Sequence, residues 1–224
     1  MKRFLVENGL SLFFGTILIL ALAGQALTGV AEFNQQQLAA GLRPTSLGSY
    51  LISSDFAVDV AENWQSEFLQ FLLYIYVTVW LLQRGSSESK ELGKAGRESD
   101  EDQLLGAYAT DRSPAWARAG GWRLAIYSRS LVLIMGIIFG LSWLAQSIAG
   151  HAAHNAEQLS DYQDPVSWWG YVCSSDFWNR TLQNWQSEFL AVASMAVFAI
   201  YLRQRGSPES KPVGAPHDST GVEG

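Results

Sequence analysis

Residues 10–28 (LSLFFGTILILALAGQALT) carry no charge, and residues 131–148 (LVLIMGIIFGLSWLAQSI) repeat that character 121 positions later. Each run is long enough to cross a hydrocarbon layer of ~30 Å as a helix. Two shorter apolar runs, Phe68–Leu82 and Phe189–Leu202, complete a reading of four membrane helices. Each is followed by Gln-Arg-Gly, where Gly85 and Gly206 are expected to take the left-handed conformation that ends a helix.

The same offset of 121 relates most of the two halves. Tyr50 and SSDF at 53–56 match Tyr171 and SSDF at 174–177, and NWQSEFL at 63–69 recurs at 184–190. QRGSSESK at 83–90 recurs as QRGSPESK at 204–211, and residues 25–90 share 28 of 66 positions with 146–211 without a gap. This is a duplicated two-helix hairpin. The expected organisation is a first membrane hairpin at 1–90, a flexible cytoplasmic linker at 91–124, a second hairpin at 125–211 and a disordered cytoplasmic tail at 212–224. The linker and tail are rich in Ser, Gly and mixed charge.

Basic residues assign the sides. Thirteen of the 15 lysines and arginines, from Lys2 and Arg3 through the linker to Lys211, fall on one side, leaving Arg43 and Arg180 on the other. Both termini are therefore expected in the cytoplasm, and both hairpins then share one topology. The first 24 residues also have the form of a secretory signal, with Ala21-Leu22-Ala23 as a cleavage site. The internal copy at 131–148 cannot be a signal and holds the same place in the repeat, so the first run is read as uncleaved.

A net charge of -6 argues against nucleic acid as a partner, which would need a basic face. The single cysteine, Cys173, excludes an intramolecular disulfide framework. No GxSxG, HExxH, P-loop or GxGxxG pattern occurs, so the sequence supports no hydrolase, ATPase or dehydrogenase and implies no cofactor.

The motifs GQ, GHAAHNAEQ, NWQSEFL and QRGSxESK resemble a bacterial membrane-protein family of unknown function, domain of unknown function 6766. The resemblance spans nearly the whole chain except the linker and tail. It implies membrane location and four helices, and carries no activity, cofactor or catalytic residue with it.

A span needs roughly 20 residues, so the apolar runs of helices two and four would have to draw the NWQSE segments into the membrane boundary. That places Glu67 and Glu188 about one turn below Trp64 and Trp185, at the depth of Gln25 and Gln146. The expected polar intramembrane cluster is Gln25, Asn63, Glu67, Gln146, Asn184 and Glu188, with Gln25 approaching Glu67 and Gln146 approaching Glu188. Gly24 and Gly29, or Ala145, Ala149 and Gly150, would permit close helix contact. Such a cluster reads either as a cation or proton site or as a polar clamp that fixes the hairpins.

His151, His154 and Glu157 have a spacing compatible with metal ligation, although the first repeat has Val30, Phe33 and Gln36 there, and no metal site is assigned. Ser54 or Ser175 would cap the helix entering each NWQSEF segment. The aromatics around Trp168 and Trp169 read as headgroup anchors, with a partner surface as the alternative.

The sequence therefore describes an all-α integral membrane protein of a bacterial inner membrane, with four transmembrane helices from two parallel repeats. Its partners would be the lipid bilayer and either a second copy or another membrane protein. A structural or interaction role leads. A small cation-linked transporter or channel using the Glu and Gln residues is the alternative.

Overall fold

The computed structural model describes residues 2–222. Met1, Glu223 and Gly224, at the ends of the first and last expected segments, lie outside the described residues, as does the side chain of Lys2. Among the described residues the regular structure is helical. It comprises α1 (Lys2–Glu7), α2 (Gly9–Ala39), α3 (Leu47–Leu51), α4 (Ser54–Val77), α5 (Ala115–Arg118), α6 (Gly121–Tyr127), α7 (Ser130–Ser160), α8 (Trp168–Val172) and α9 (Ser175–Tyr201), with a 3-10 turn at Gly106–Tyr108.

Among the described residues two helices, α2 and α7, each of 31 residues, are long and apolar enough to cross a membrane. Only 6% of the apolar stretch of α2 and 17% of that of α7 is buried within the protein, so neither is the core helix of a water-soluble fold. Helices α4 and α9 have the length, at 24 and 27 residues, but not the composition. Asp55, Asp59, Glu62 and Glu67 interrupt α4, and Asp176, Arg180 and Glu188 interrupt α9.

The chain forms two compact units, Met1–Ala61 with Leu144–Phe177, and Glu62–Trp143 with Trp178–Gly224. In the first unit, short polar side chains shape the loops after α2 and α7. Asn34 accepts from the backbone N–H of Thr45 at 2.6 Å and donates to its carbonyl at 3.0 Å. Asn155 does the same to Val166, at 2.9 and 3.0 Å. A carboxamide carries both a donor and an acceptor, so one side chain satisfies both backbone groups of an extended residue. Ser46 and Ser167 then cap α3 and α8, accepting from Ser49 N–H at 3.2 Å and Gly170 N–H at 3.1 Å.

The caps of α4 and α9 sit one residue earlier than expected. Ser53 accepts from Phe56 N–H at 3.3 Å and Ser174 from Phe177 N–H at 3.2 Å, so Ser54 and Ser175 are the first helical residues instead. Gly29 and Gly150 face Tyr50 and Tyr171, and a Cβ at either glycine would collide with the phenol hydroxyl. Both tyrosines are buried. Burial pushes the Tyr50 phenol above its ordinary range, with Asp59, Asp55 and Glu32 adding to the effect.

In the second unit the two Gln-Arg-Gly segments adopt one turn. Gly85 and Gly206 have φ of 85° and 81°, as their left-handed assignment required. They do not end the helices, however, because α4 stops at Val77 and α9 at Tyr201. At the end of α4 the hydroxyl of Thr78 donates to the Tyr74 carbonyl at 2.7 Å, which also accepts from the Thr78 N–H at 3.2 Å. Beyond the helices, Gln83 N–H donates to Ser89 Oγ and Gln204 N–H to Ser210 Oγ, each at 2.9 Å.

Candidate polar site

Six polar residues were singled out by depth. Gln25 and Gln146 belong to the first unit, and Asn63, Glu67, Asn184 and Glu188 to the second. Gln25 is half-buried and Gln146 fully buried. Beside it in sequence, Ser147 accepts from the indole N–H of Trp168 at 3.2 Å and donates to the Leu144 carbonyl at 2.8 Å.

Within the second unit, Glu67 and Glu188 stand two and three residues beyond the Gln65–Trp185 pair that joins α4 to α9. Glu67 and Asn63 are exposed, whereas Glu188 and Asn184 are half-buried. Asn184 is turned back on its own helix, donating to the Arg180 carbonyl at 3.0 Å.

The centre of the second unit is built by residues the depth argument passed over. Gln65 is completely buried. Its carboxamide oxygen accepts from the indole N–H of Trp185 at 2.8 Å, while its nitrogen has no partner among the described residues. Trp185 packs 6.0 Å from Trp143, which lies 6.0 Å from Trp178 and is stacked on Phe139 at 5.6 Å. One turn toward the start of each helix, Arg180 Nε donates to Glu62 at 2.8 Å. In the sequence Arg180 stands out only as one of two basic residues on its side. Its place opposite Asp59 in the repeat marked a position where the halves differ in sign.

The other end of the second unit is closed by a lysine. Lys211 is 1% exposed, and its ammonium meets the carbonyls of Gly85 at 2.6 Å, His217 at 2.9 Å, Ser219 at 3.1 Å and Pro216 at 3.3 Å. Thr220 accepts from Gly85 N–H at 2.9 Å, and Gly221 N–H donates to Ser86 at 3.1 Å. Burial holds the Lys211 ammonium below the usual lysine range, with Arg203 adding to it. The matching Lys90 instead meets the Gly96 carbonyl at 2.9 Å and Glu98 at 2.8 Å. Tyr74 of α4 donates to Glu88 at 2.5 Å.

The histidines do not converge. His151 Nε2 lies 2.8 Å from the Val166 carbonyl and 2.9 Å from the carboxamide nitrogen of Asn155, so it belongs to the loop clasp. His154 is 3.6 Å from Asp176, and Glu157 is exposed. Among the described residues no group of three His, Cys, Asp or Glu side chains is placed to hold a metal ion.

The chain belongs to a family described as a domain of unknown function, DUF6766, whose model matches residues 1–222. No curated protein and no solved structure matches the chain.

Proposed function

We propose that this DUF6766 protein is a multi-pass component of a bacterial inner membrane, with a structural or interaction role. In this reading α4 and α9 span alongside α2 and α7, as two duplicated hairpins of one topology with both termini in the cytoplasm. The observation that carries it is the exposure of the uncharged stretches of α2 and α7, whose apolar surface needs lipid or a partner to cover it. The loop clasps at Asn34 and Asn155, which recur 121 residues apart, support the duplication. The internal use of polar groups supports a structural role, since Gln65, Trp185, Arg180 and Glu62 are spent on one another.

Fractionation and labelling test this reading. The protein is expected to stay in the membrane pellet after alkaline carbonate. Cys173, which is exposed, is expected to react with a membrane-impermeant maleimide in intact spheroplasts. Recovery in the soluble fraction rejects the membrane reading, and labelling of Cys173 only after lysis rejects the orientation.

The placement of Glu67 and Glu188 just beyond the bond from Trp185 to Gln65 favours a second reading, cation- or proton-linked transport that would use them with Gln25 and Gln146. In proteoliposomes loaded with a pH-sensitive dye, a pH step should dissipate faster with the protein than without it. Glu67→Gln with Glu188→Gln should abolish that difference. An unchanged rate in the folded double variant removes the transport reading.

A further inference from the structure

A cavity of about 580 Å³ opens in the second unit where the end of α4, helix α6, the start of α7 and the 90–105 segment meet. Its walls and its rim differ in chemistry. Ile75, Val79, Leu124 and Leu133 present hydrocarbon to the interior, while Lys90, Arg97 and Arg129 stand with Glu98 and Asp100 at the polar side. Lys90 and Glu98 neutralise each other at 2.8 Å, and Glu98 also accepts from Gln103. That leaves Arg97 and Arg129, both exposed and without an ion-pair partner among the described residues, and Asp100 is the one other acid in the lining.

The level of the cavity is equally informative. Arg129 stands immediately before α7, whose uncharged run begins at Leu131, and Trp80 and Tyr127 line the same opening. Aromatic rings and arginines at the end of a span are the chemistry of the headgroup layer. No acidic residue occurs between Arg112 and Ala156, while Arg112, Arg118, Arg123 and Arg129 all do. Arg123 lies over the ring of Trp122 at 5.5 Å, and Trp122 meets Trp116 edge-on at 6.0 Å. The segment leading into the cavity is thus cationic and aromatic, suited to an anionic surface.

We infer that this cavity seats an anionic phospholipid of the cytoplasmic leaflet, its phosphate between Arg97 and Arg129 and an acyl chain along Ile75, Val79, Leu124 and Leu133. The inference rests on the membrane reading above. Apolar walls alone would accept any acyl chain, so the two arginines supply the selection for a net negative headgroup. Phosphatidylcholine has a phosphate but no net charge, whereas phosphatidylglycerol has both phosphate and net charge.

The experiment uses the full chain in detergent, with bound lipid measured by native mass spectrometry as phosphatidylglycerol or phosphatidylcholine is added. Two arginines at an anionic headgroup should favour phosphatidylglycerol by about 30-fold. Arg97→Gln with Arg129→Gln should erase the preference while leaving the unfolding temperature unchanged. Leu124→Gln on the wall should weaken both lipids alike. Equal binding of the two lipids, or a preference that survives loss of both arginines, overturns the site. So does displacement by inorganic phosphate or by oleate at the concentration of the phospholipid, because the ligand would then be a free anion or a fatty acid. Protein that pellets with membranes yet shows no preference overturns this inference alone. Protein that remains in solution without detergent overturns the membrane reading as well.

Discussion

Trp185 and Gln65 are consecutive letters of one motif, yet they come from different copies of it, and the indole N–H of the second copy donates to the carboxamide of the first at 2.8 Å. The reciprocal residues stand apart from this arrangement. Trp64 is 43% exposed, and Gln186 is exposed as well. Two identical heptapeptides therefore perform two tasks.

That inequality gives an expected ranking of substitutions. Trp185→Phe keeps an aromatic ring but leaves the Gln65 oxygen buried without its donor, which costs about 1–3 kcal/mol. Trp64→Phe, at an exposed ring, should change stability by less than about 0.5 kcal/mol. Thermal unfolding in detergent should show a drop of several degrees for the first and almost none for the second. Equal effects would mean that the indole bond contributes nothing distinctive.

Gly29→Ala and Gly150→Ala should each destabilise the first unit, because the new methyl group meets the hydroxyl of Tyr50 or Tyr171. Overpacking of this kind costs about 1–3 kcal/mol. Adding Tyr50→Phe to the first and Tyr171→Phe to the second removes the nearest atom and should restore part of the loss. A double variant no better than the glycine substitution would show that the hydroxyl is not what the methyl group strikes.

Lys211 should be the slowest of the described lysines to acylate. Lys94 has 71% of its side chain in solvent, whereas Lys211 is 1% exposed with four carbonyls around its nitrogen. Brief treatment with an N-hydroxysuccinimide ester at neutral pH, followed by peptide mapping, should modify Lys94 and spare Lys211. Replacing Thr220 with Val removes the acceptor for Gly85 N–H and should raise the reactivity of Lys211. Prompt modification of Lys211 in the unaltered chain contradicts a closed cage.

Much of this architecture is legible in the residue pattern. The uncharged runs give α2 and α7, because an apolar surface of that length constrains a helix strongly. The positive φ of Gly85 and Gly206 follows from the turns they occupy. The end of α4 was not legible, since Val79, Trp80 and Leu81 extend the apolar run while Thr78 marks the departure through a single hydroxyl. The choice of Gln65 over Gln186 was hidden for another reason. Both sit in NWQSEFL, and the distinction comes from Trp143, whose counterpart in the first half is Leu22. The cage of Lys211 leaves no side-chain signature at all, because its oxygens belong to the backbone, which every residue carries.

The bonds from Lys211, Thr220 and Gly221 to Gly85 and Ser86 set an order of events during synthesis. A chain emerging from the ribosome makes the turn at 85 well before the residues at 211–221 that fasten it. Until those residues emerge, that turn lacks the partners that fix it, and a chain cut before them never secures it.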